Sequence, residues 1–310
     1  MNFASTISRL PRFFRRQRLI NLLLRVSPSS RVQLISLPDG TRFYADLRQP
    51  LSRNILAAGS IDPEYLQVAS VFLSASNAEP VMFDIGANYG IYSFVFLPRF
   101  PNVKLHQFDA NPNLCDFLRR TAELYPGRGV RIVNACVTEK SGGHSMLRLD
   151  THNDGASHIS ESGDFQVPNV SLGDHVRENG IDEIAFAKMD VEGFEVNALK
   201  GLLAEGLEGR LKALVFEVVN EHLERAGTRT EELFALLEAK GYRLFHFRKA
   251  DFEVPKWSSF QVDKARQASW NLKGRQLTLA PLDRERAARE KWNFGTDLLA
   301  VHQSVPMHQA

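Results

Sequence analysis

Three apolar runs in this chain end in acids, and each acid is followed by a loop. In "VMFDIGANYGIYSF" (81–94) the run closes on Asp84, and Gly86, Asn88 and Gly90 follow at once. "VKLHQFDANPN" (103–113) closes on Asp109, and "IAFAKMDVEGFE" (184–195) sets Lys188 and Asp190 on one strand face ahead of Glu192 and Gly193. Glycines allow the backbone a tight turn and a close approach to a neighbour. An acid at a strand end attracts an ammonium group, and loop N–H groups at a helix start can meet a carboxylate.

Two phosphate-binding patterns fail here. A P-loop needs Gly-Lys-Ser/Thr at its end, which is missing. A dinucleotide fingerprint counted from Gly86 meets Asn88 at its third position and Ile91 at its sixth. A ligand with an amino-acid end remains suitable, and S-adenosylmethionine has one. Asp109 can accept hydrogen bonds from ribose hydroxyls, or it can cap the helix that starts at Pro112; Asn111 is closer to Pro112 and can do the capping. Lys188 needs a partner on a buried strand, with Asp190, Asp84 and Glu217 as candidates. Asp190 also precedes a helix and can cap it.

Candidate proton-transfer groups are Asp190, Glu192 and His222, with His152 and His158 in a polar loop as further histidines. The nine histidines are scattered and neither cysteine has a metal-type partner, so no metal is expected.

Alternating strand and helix patterns position these residues. Residues 32–47 read as a hairpin about Pro38-Asp39-Gly40, and 62–75 as a helix with Asp62 as N-cap. Strands are expected at 81–85, 103–109, 130–137, 184–189, 212–219, 242–247 and 296–302, with helices near 90–98, 112–124, 192–204 and 229–240. A polar loop is expected to about 169. This is an α/β chain with a doubly wound, mostly parallel seven-stranded sheet, an N-terminal hairpin and helix extension, and an insertion at 248–295 before the last strand. The insertion carries Trp257, Trp270 and Trp292, as a small core or as a stacking platform. The expected division is a basic segment 1–30, the hairpin and helix 31–78, and the main domain 79–310.

The chain has 310 residues, 44% hydrophobic, and a net charge of +2, but no acid precedes Asp39, while Arg9, Arg12, Arg15, Arg16, Arg18, Arg25 and Arg31 do. "FFRRQRLINLLLRV" is too short in apolar residues for a signal peptide or a membrane span. It suits a helix packed on the domain, an amphipathic helix on an anionic membrane, or a transit peptide. Two cysteines, Cys115 and Cys136, make no disulfide framework, and a cytoplasmic location is expected.

"DIGANYGIYS", "FDANPN", "RIVNACV", "KMDVEGFE" and "LVFEVVNE", in this order, resemble the FkbM family of class I S-adenosylmethionine-dependent methyltransferases. The resemblance covers roughly residues 60 to 250 and the last strand. It implies that Asp84, Gly86, Asn88 and Gly90 surround the methionine part, Asp109 holds the ribose, and Asn134 and Ala135 lie near the adenine. It places Asp190, Glu192 and Gly193 at the reaction centre. Asp109 stands where the family often has glutamate, and "SLGDHV" puts Gly173 at the place of an expected acid, with Asp174 one position on. O-methylation of a sugar, glycan or natural-product hydroxyl is implied, with a small-molecule or glycan acceptor and no nucleic acid. A non-catalytic membrane-held binding module and a nicotinamide oxidoreductase are the competing functions.

Overall fold

Gly40, at φ +89°, turns the chain between strand β1 (Val32–Ser36) and strand β2 (Arg42–Asp46), the expected hairpin. Helices α1 (Pro50–Ala58) and α2 (Pro63–Ala75) follow, each with proline in its first turn, where its missing N–H is not needed. The computed structural model describes residues 19–22, 24, 31–76, 79–150, 157–246, 268–272, 275–282, 284, 296–306 and 308–309.

From β3 (Val81–Ile85) the chain alternates. Helix α3 (Ile91–Phe94) is a single turn, shorter than expected, and Pro98 lies just beyond it. Strand β4 (Lys104–Asp109), helix α4 (Pro112–Ala122) and strand β5 (Val130–Asn134) follow. The expected strand 130–137 then splits. Asn134 donates to the carbonyls of Asp109 and Ala110 at 3.0 and 3.1 Å, and the chain leaves the main sheet at Ala135.

The region expected as a polar loop to about 169 is instead a second sheet. Its strands β6 (Cys136–Thr138), β7 (His144–Arg148), β8 (His158–Ile159) and β9 (Phe165–Ser171) lie in the order β6-β9-β7-β8. Its polar residues are the outward half of an alternation, while Cys136, Leu147 and Val167 form the inward half.

Helix α5 (Leu172–Glu178), strand β10 (Phe186–Met189), helix α6 (Glu195–Leu202) and strand β11 (Ala213–Val218) continue the alternation. Helix α7 (Asn220–Arg225) was not expected; helix α8 (Thr230–Ala239), strand β12 (Tyr242–His246) and strand β15 (Thr296–His302) were. Strands β13 (Ala268–Leu272) and β14 (Arg275–Pro281) fall within the expected insertion, and β16 (His308–Gln309) is the last.

The main sheet runs β16-β13-β14-β12-β15-β11-β10-β3-β4-β5. Its seven expected strands are β5 to β12 in that order, parallel from β5 to β11, with β15 antiparallel between β11 and β12. Strands β14 and β13 of the insertion, with the C-terminal β16, extend this sheet to ten strands. Trp270 lies in β13, while Trp257 and Trp292 lie outside the described residues.

Neighbouring residues of the central strands serve opposite faces. Met82 and Phe186 join a core with the hairpin, α2 and α4; Phe83 and Ala187 join another with α5, α6 and α8. Burial of a side chain such as Phe83 stabilises by about 1.5–3 kcal/mol. Ile20 belongs to the first core at 1% exposure, so the N-terminal segment reaches the domain there.

Candidate active site

The carboxyl ends of β3, β4, β10 and β11 and the amino end of the antiparallel β15 meet at a cavity of about 290 Å³. Gly86, Asn88, Asp109, Ala135, Lys188, Asp190, Glu192, Glu217 and Asp297 are among its lining residues. It lies where a parallel sheet reverses its winding, the usual ligand crevice of such a fold.

The glycine loop is shaped by its protein neighbours. Gly86 has φ +77°, and a Cβ there would lie 1.7 Å from the Asp190 carbonyl oxygen. Gly90, at φ +70°, faces Gln107, Leu118 and Phe94, and it is not among the cavity-lining residues. The close approach that a missing side chain allows is, at both glycines, an approach to protein. Asn88 also has positive φ, +53°. Its N–H donates to Asp109 Oδ2 at 2.7 Å, and the N–H of Asn111 donates to Asp109 Oδ1 at 2.8 Å. Burial pushes the Asp109 carboxyl up to about 7 although these two N–H groups pull it down. Helix α4 is capped by Asn111, whose Oδ1 accepts from the N–H of Asn113 at 3.0 Å, which leaves Asp109 facing the cavity.

Asp84 lies behind the loop at 1% exposure and does not line the cavity. Ser93 Oγ donates to its Oδ2 at 2.5 Å. Burial raises its carboxyl to about 6, against the pull of Lys188 and Ser93. Lys188 is paired with Asp190 at 3.1 Å and lies 5.3 Å from the Tyr92 ring centre. Burial alone would lower the Lys188 ammonium; Asp190 and Asp84 outweigh it and hold the group charged.

Asp190 does not cap the next helix. Glu192 and Gly193 follow at φ +55° and +108°, so helical geometry cannot begin there, and α6 starts at Glu195. Glu195, the first residue of α6, ties the turn before it, its Oε1 accepting from the N–H groups of Val191 and Gly193 at 3.2 and 3.4 Å. A Cβ on Gly193 would lie 2.2 Å from the His222 carbonyl oxygen, which fixes α7 against this turn. His222 Nδ1 lies 2.7 Å from Glu192 Oε2, close but off the angle of a hydrogen bond. Burial, then Asp190 and Glu195, push the Glu192 carboxyl up to about 8, and burial lowers His222.

The structure therefore gathers Gly86, Asn88, Asp109, Ala135, Asp190 and Glu192 around one cavity. It sets Asp84, Gly90 and His222 one layer behind, and gives Asn134 the task of tying β4 to β5. His158 lines the cavity and His152 lies outside the described residues. Gly173 packs on the Gly201 carbonyl, and Asp174 bonds Ser141 and Arg177 on the surface, so neither places an acid at the site. Asp62, Tyr65, Tyr92 and Asp297 also line the cavity and were not expected. Only Asp297 carried a signal, as the single acid in β15. Among the described residues no three His, Cys, Asp or Glu side chains converge as metal ligands.

A seven-stranded core with its last strand inserted antiparallel, and an acid-lined cavity at the strand ends, defines a class I methyltransferase fold. Residues 84–244 match the methyltransferase FkbM domain, and the chain belongs to that family. The hexuronic acid methyltransferase AglP of Haloferax volcanii is 26% identical over 175 residues, 56% of this chain and 68% of that protein. The methyltransferase sdnD of Sordaria araneosa is 28% identical over 198 residues, 53% of this chain and 74% of that protein.

The protein is an S-adenosylmethionine-dependent methyltransferase. Its cavity suits that cofactor. Asn88, which lines the cavity, has a buried Oδ1 without a partner among the described residues, an acceptor matched to a ligand rich in N–H and O–H donors.

Proposed function

We propose that this enzyme O-methylates a hydroxyl of a sugar, glycan or natural product. The supporting observation is the cavity's division into two ends. Ala135, Leu114 and Val137 make one end apolar, while Lys188, Asp190, Glu192 and Glu217 crowd the other with ionisable groups. An adenine suits the first end, and proton removal from an alcohol suits the second.

In this reading Asp109 holds the ribose hydroxyls, with Asn134 supporting the wall beside the adenine. The loop at Gly86, Asn88 and Gly90 receives the methionine part, and Asp84 attracts its ammonium from behind the loop. The bound cofactor supplies an activated methyl group on sulfur. Asp190, Glu192 and His222 border the reaction centre, where the chain must orient the hydroxyl and take its proton.

The relatives' names support a sugar or natural-product acceptor. Both described cysteines are free and buried, in keeping with a cytoplasmic enzyme. No described helix is long and apolar enough to cross a membrane. Leu22, 55% exposed beside the arginine-rich segment, supports peripheral contact with an anionic membrane.

Calorimetry with adenosylmethionine, adenosylhomocysteine and NAD tests the cofactor assignment; binding of NAD alone would overturn it. Glycan and metabolite profiling of cells with and without the gene tests the chemistry. A product heavier by one CH₂, stable to mild base as an ether is, supports O-methylation of a hydroxyl; an ester or N-methyl product refutes it.

A further inference from the structure

The carboxylates around the cavity differ in what already holds them. Asp109 accepts two backbone N–H bonds. Asp190 is paired with Lys188, whose side chain is only 13% exposed. Glu192 lies against His222, and Asp62 accepts from the Tyr92 hydroxyl at 3.3 Å. Asp297 is opposite Glu217 in the β11–β15 register and has interactions of its own. Glu217 lines the cavity half-buried and makes no hydrogen bond or ion pair among the described residues. It is the uncommitted carboxylate of this end of the site.

We propose that Glu217 is the catalytic base that takes the proton of the acceptor hydroxyl. This rests on the methyltransferase reading of the same cavity. As the O–H bond breaks, its proton passes to a Glu217 oxygen. The hydroxyl oxygen uses a lone pair to form the bond to the methyl carbon, and the methyl–sulfur pair returns to sulfur. The sulfonium charge and the carboxylate charge disappear together, so the step is neutral overall, and Glu217 later returns its proton to solvent.

Geometry favours Glu217 over its neighbours. Protonating Asp190 would strand the Lys188 ammonium in a buried place, a large penalty for a broken pair. Protonating Glu217 breaks no bond. The strand pairs Lys188 with Val215 and Met189 with Phe216, which brings Asp190 and Glu217 to the same edge of the sheet. Asp190 and Asp297 therefore face Glu217 with negative charge. Burial first, then these two acids and Glu192, push its carboxyl up to about 8. A base of that strength is better matched to an alcohol proton than a solvated carboxylate is, and still ionises near neutral pH.

The test needs no acceptor. Sinefungin is an adenosylmethionine analogue with an amine-bearing carbon in place of the methylated sulfur, so its extra ammonium points where the methyl group goes. Calorimetry at pH 8.5 compares sinefungin with adenosylhomocysteine on the full chain. Wild type should prefer sinefungin by about tenfold or more, the scale of a hydrogen bond to a charged group. Glu217→Gln should lose most of that preference while adenosylhomocysteine affinity stays within about twofold, showing a folded site. Glu217→Asp keeps the charge and should keep part of the preference.

A preference unchanged in Glu217→Gln, or lost instead in Glu192→Gln, overturns the assignment. If wild type binds adenosylhomocysteine but does not prefer sinefungin, the assignment also falls and the methyltransferase reading stands. If neither ligand binds wild type, both fall.

Discussion

Gly86 and the carbonyl oxygen of Asp190 are in direct backbone contact: a Cβ on the glycine would lie 1.7 Å from that oxygen. The Asp190 N–H also donates to the Ile85 carbonyl at 2.9 Å. The first loop and the fourth parallel strand thus form one unit, and the cofactor loop cannot move without the acids at the reaction end.

Gly86→Ala should therefore lower melting temperature and adenosylhomocysteine affinity together. Gly127→Ala is the control, because Gly127 also has positive φ but open space around it. That substitution carries only the backbone penalty of about 1–2 kcal/mol. Equal destabilisation by the two, with binding intact in Gly86→Ala, would show that the loop yields freely.

Asp109→Ala should weaken adenosylmethionine binding by about 1.5–3 kcal/mol, as for hydrogen bonds to a charged group. It also releases the N–H groups of Asn88 and Asn111, so faster amide exchange should appear at those two positions. Affinity unchanged within twofold, in a folded variant, would remove Asp109 from the site.

Several acids here hold protons more tightly folded than unfolded. Burial raises Asp84 to about 6, Asp109 to about 7, and Glu192 and Glu217 to about 8. A raised folded-state value means stability is present at low pH and lost as pH rises through it. Below about pH 6.5, the ordinary histidine value, an opposite effect enters. His106 and His175, whose Nδ1 and Nε2 lie 2.8 Å apart and which burial lowers to about 3 and 4, stay neutral when folded but take up protons when unfolded, so stability then falls toward acid. Melting temperature without cofactor should fall between about pH 6.5 and 8.5. Binding of the cationic cofactor should release protons over the same window, seen by calorimetry in two buffers of different ionisation enthalpy. Proton uptake would contradict the assignment of these acids to the site.

Much of this was legible in the chain. Asp84 and Asp109 could be placed because an acid ending an apolar run has few structural reasons to be there, and β3 has the expected bounds, 81–85. The second sheet was missed because its strands are short and half polar, so their alternation resembled a loop. The helix at 192–204 was drawn too long because a left-handed Glu192 leaves no mark in composition. Glu217 was seen only as a partner for Lys188. Its freedom depends on which neighbour claims each other carboxylate, a three-dimensional fact that spacing does not carry.

Asp190→Asn and Glu192→Gln should act at the chemical step. Turnover of an acceptor supplied by profiling should fall at least about tenfold in Asp190→Asn, because the Lys188 ammonium loses its charged partner beside the reaction centre. Adenosylhomocysteine affinity should change by less than about threefold. A variant that loses cofactor binding in proportion to turnover would move its carboxylate into the cofactor site.

Ile20 is buried in the first core, so deleting residues 1–30 would remove packing as well as charge. Arg12, Arg15 and Arg16 changed together to Glu make the cleaner test. Sedimentation with phosphatidylserine vesicles should drop in that variant and, for wild type, with added salt. Adenosylhomocysteine binding should persist. Vesicle binding that is absent or indifferent to salt in wild type would leave the segment as a packed helix alone.

Strand β15 lies between β11 and β12, although it follows both in the chain. During synthesis on a ribosome the neighbours on either side emerge first and have no direct hydrogen-bonded ladder between them. Residues 296–302 must arrive before the two parts of the sheet become continuous. A stalled or shortened product ending before Thr296 would present two unzipped strand edges, each a template for another chain. The cell therefore receives a sharp quality signal: a polypeptide missing its final strand should be insoluble or quickly degraded, whereas losing β16 at the far rim should be tolerated.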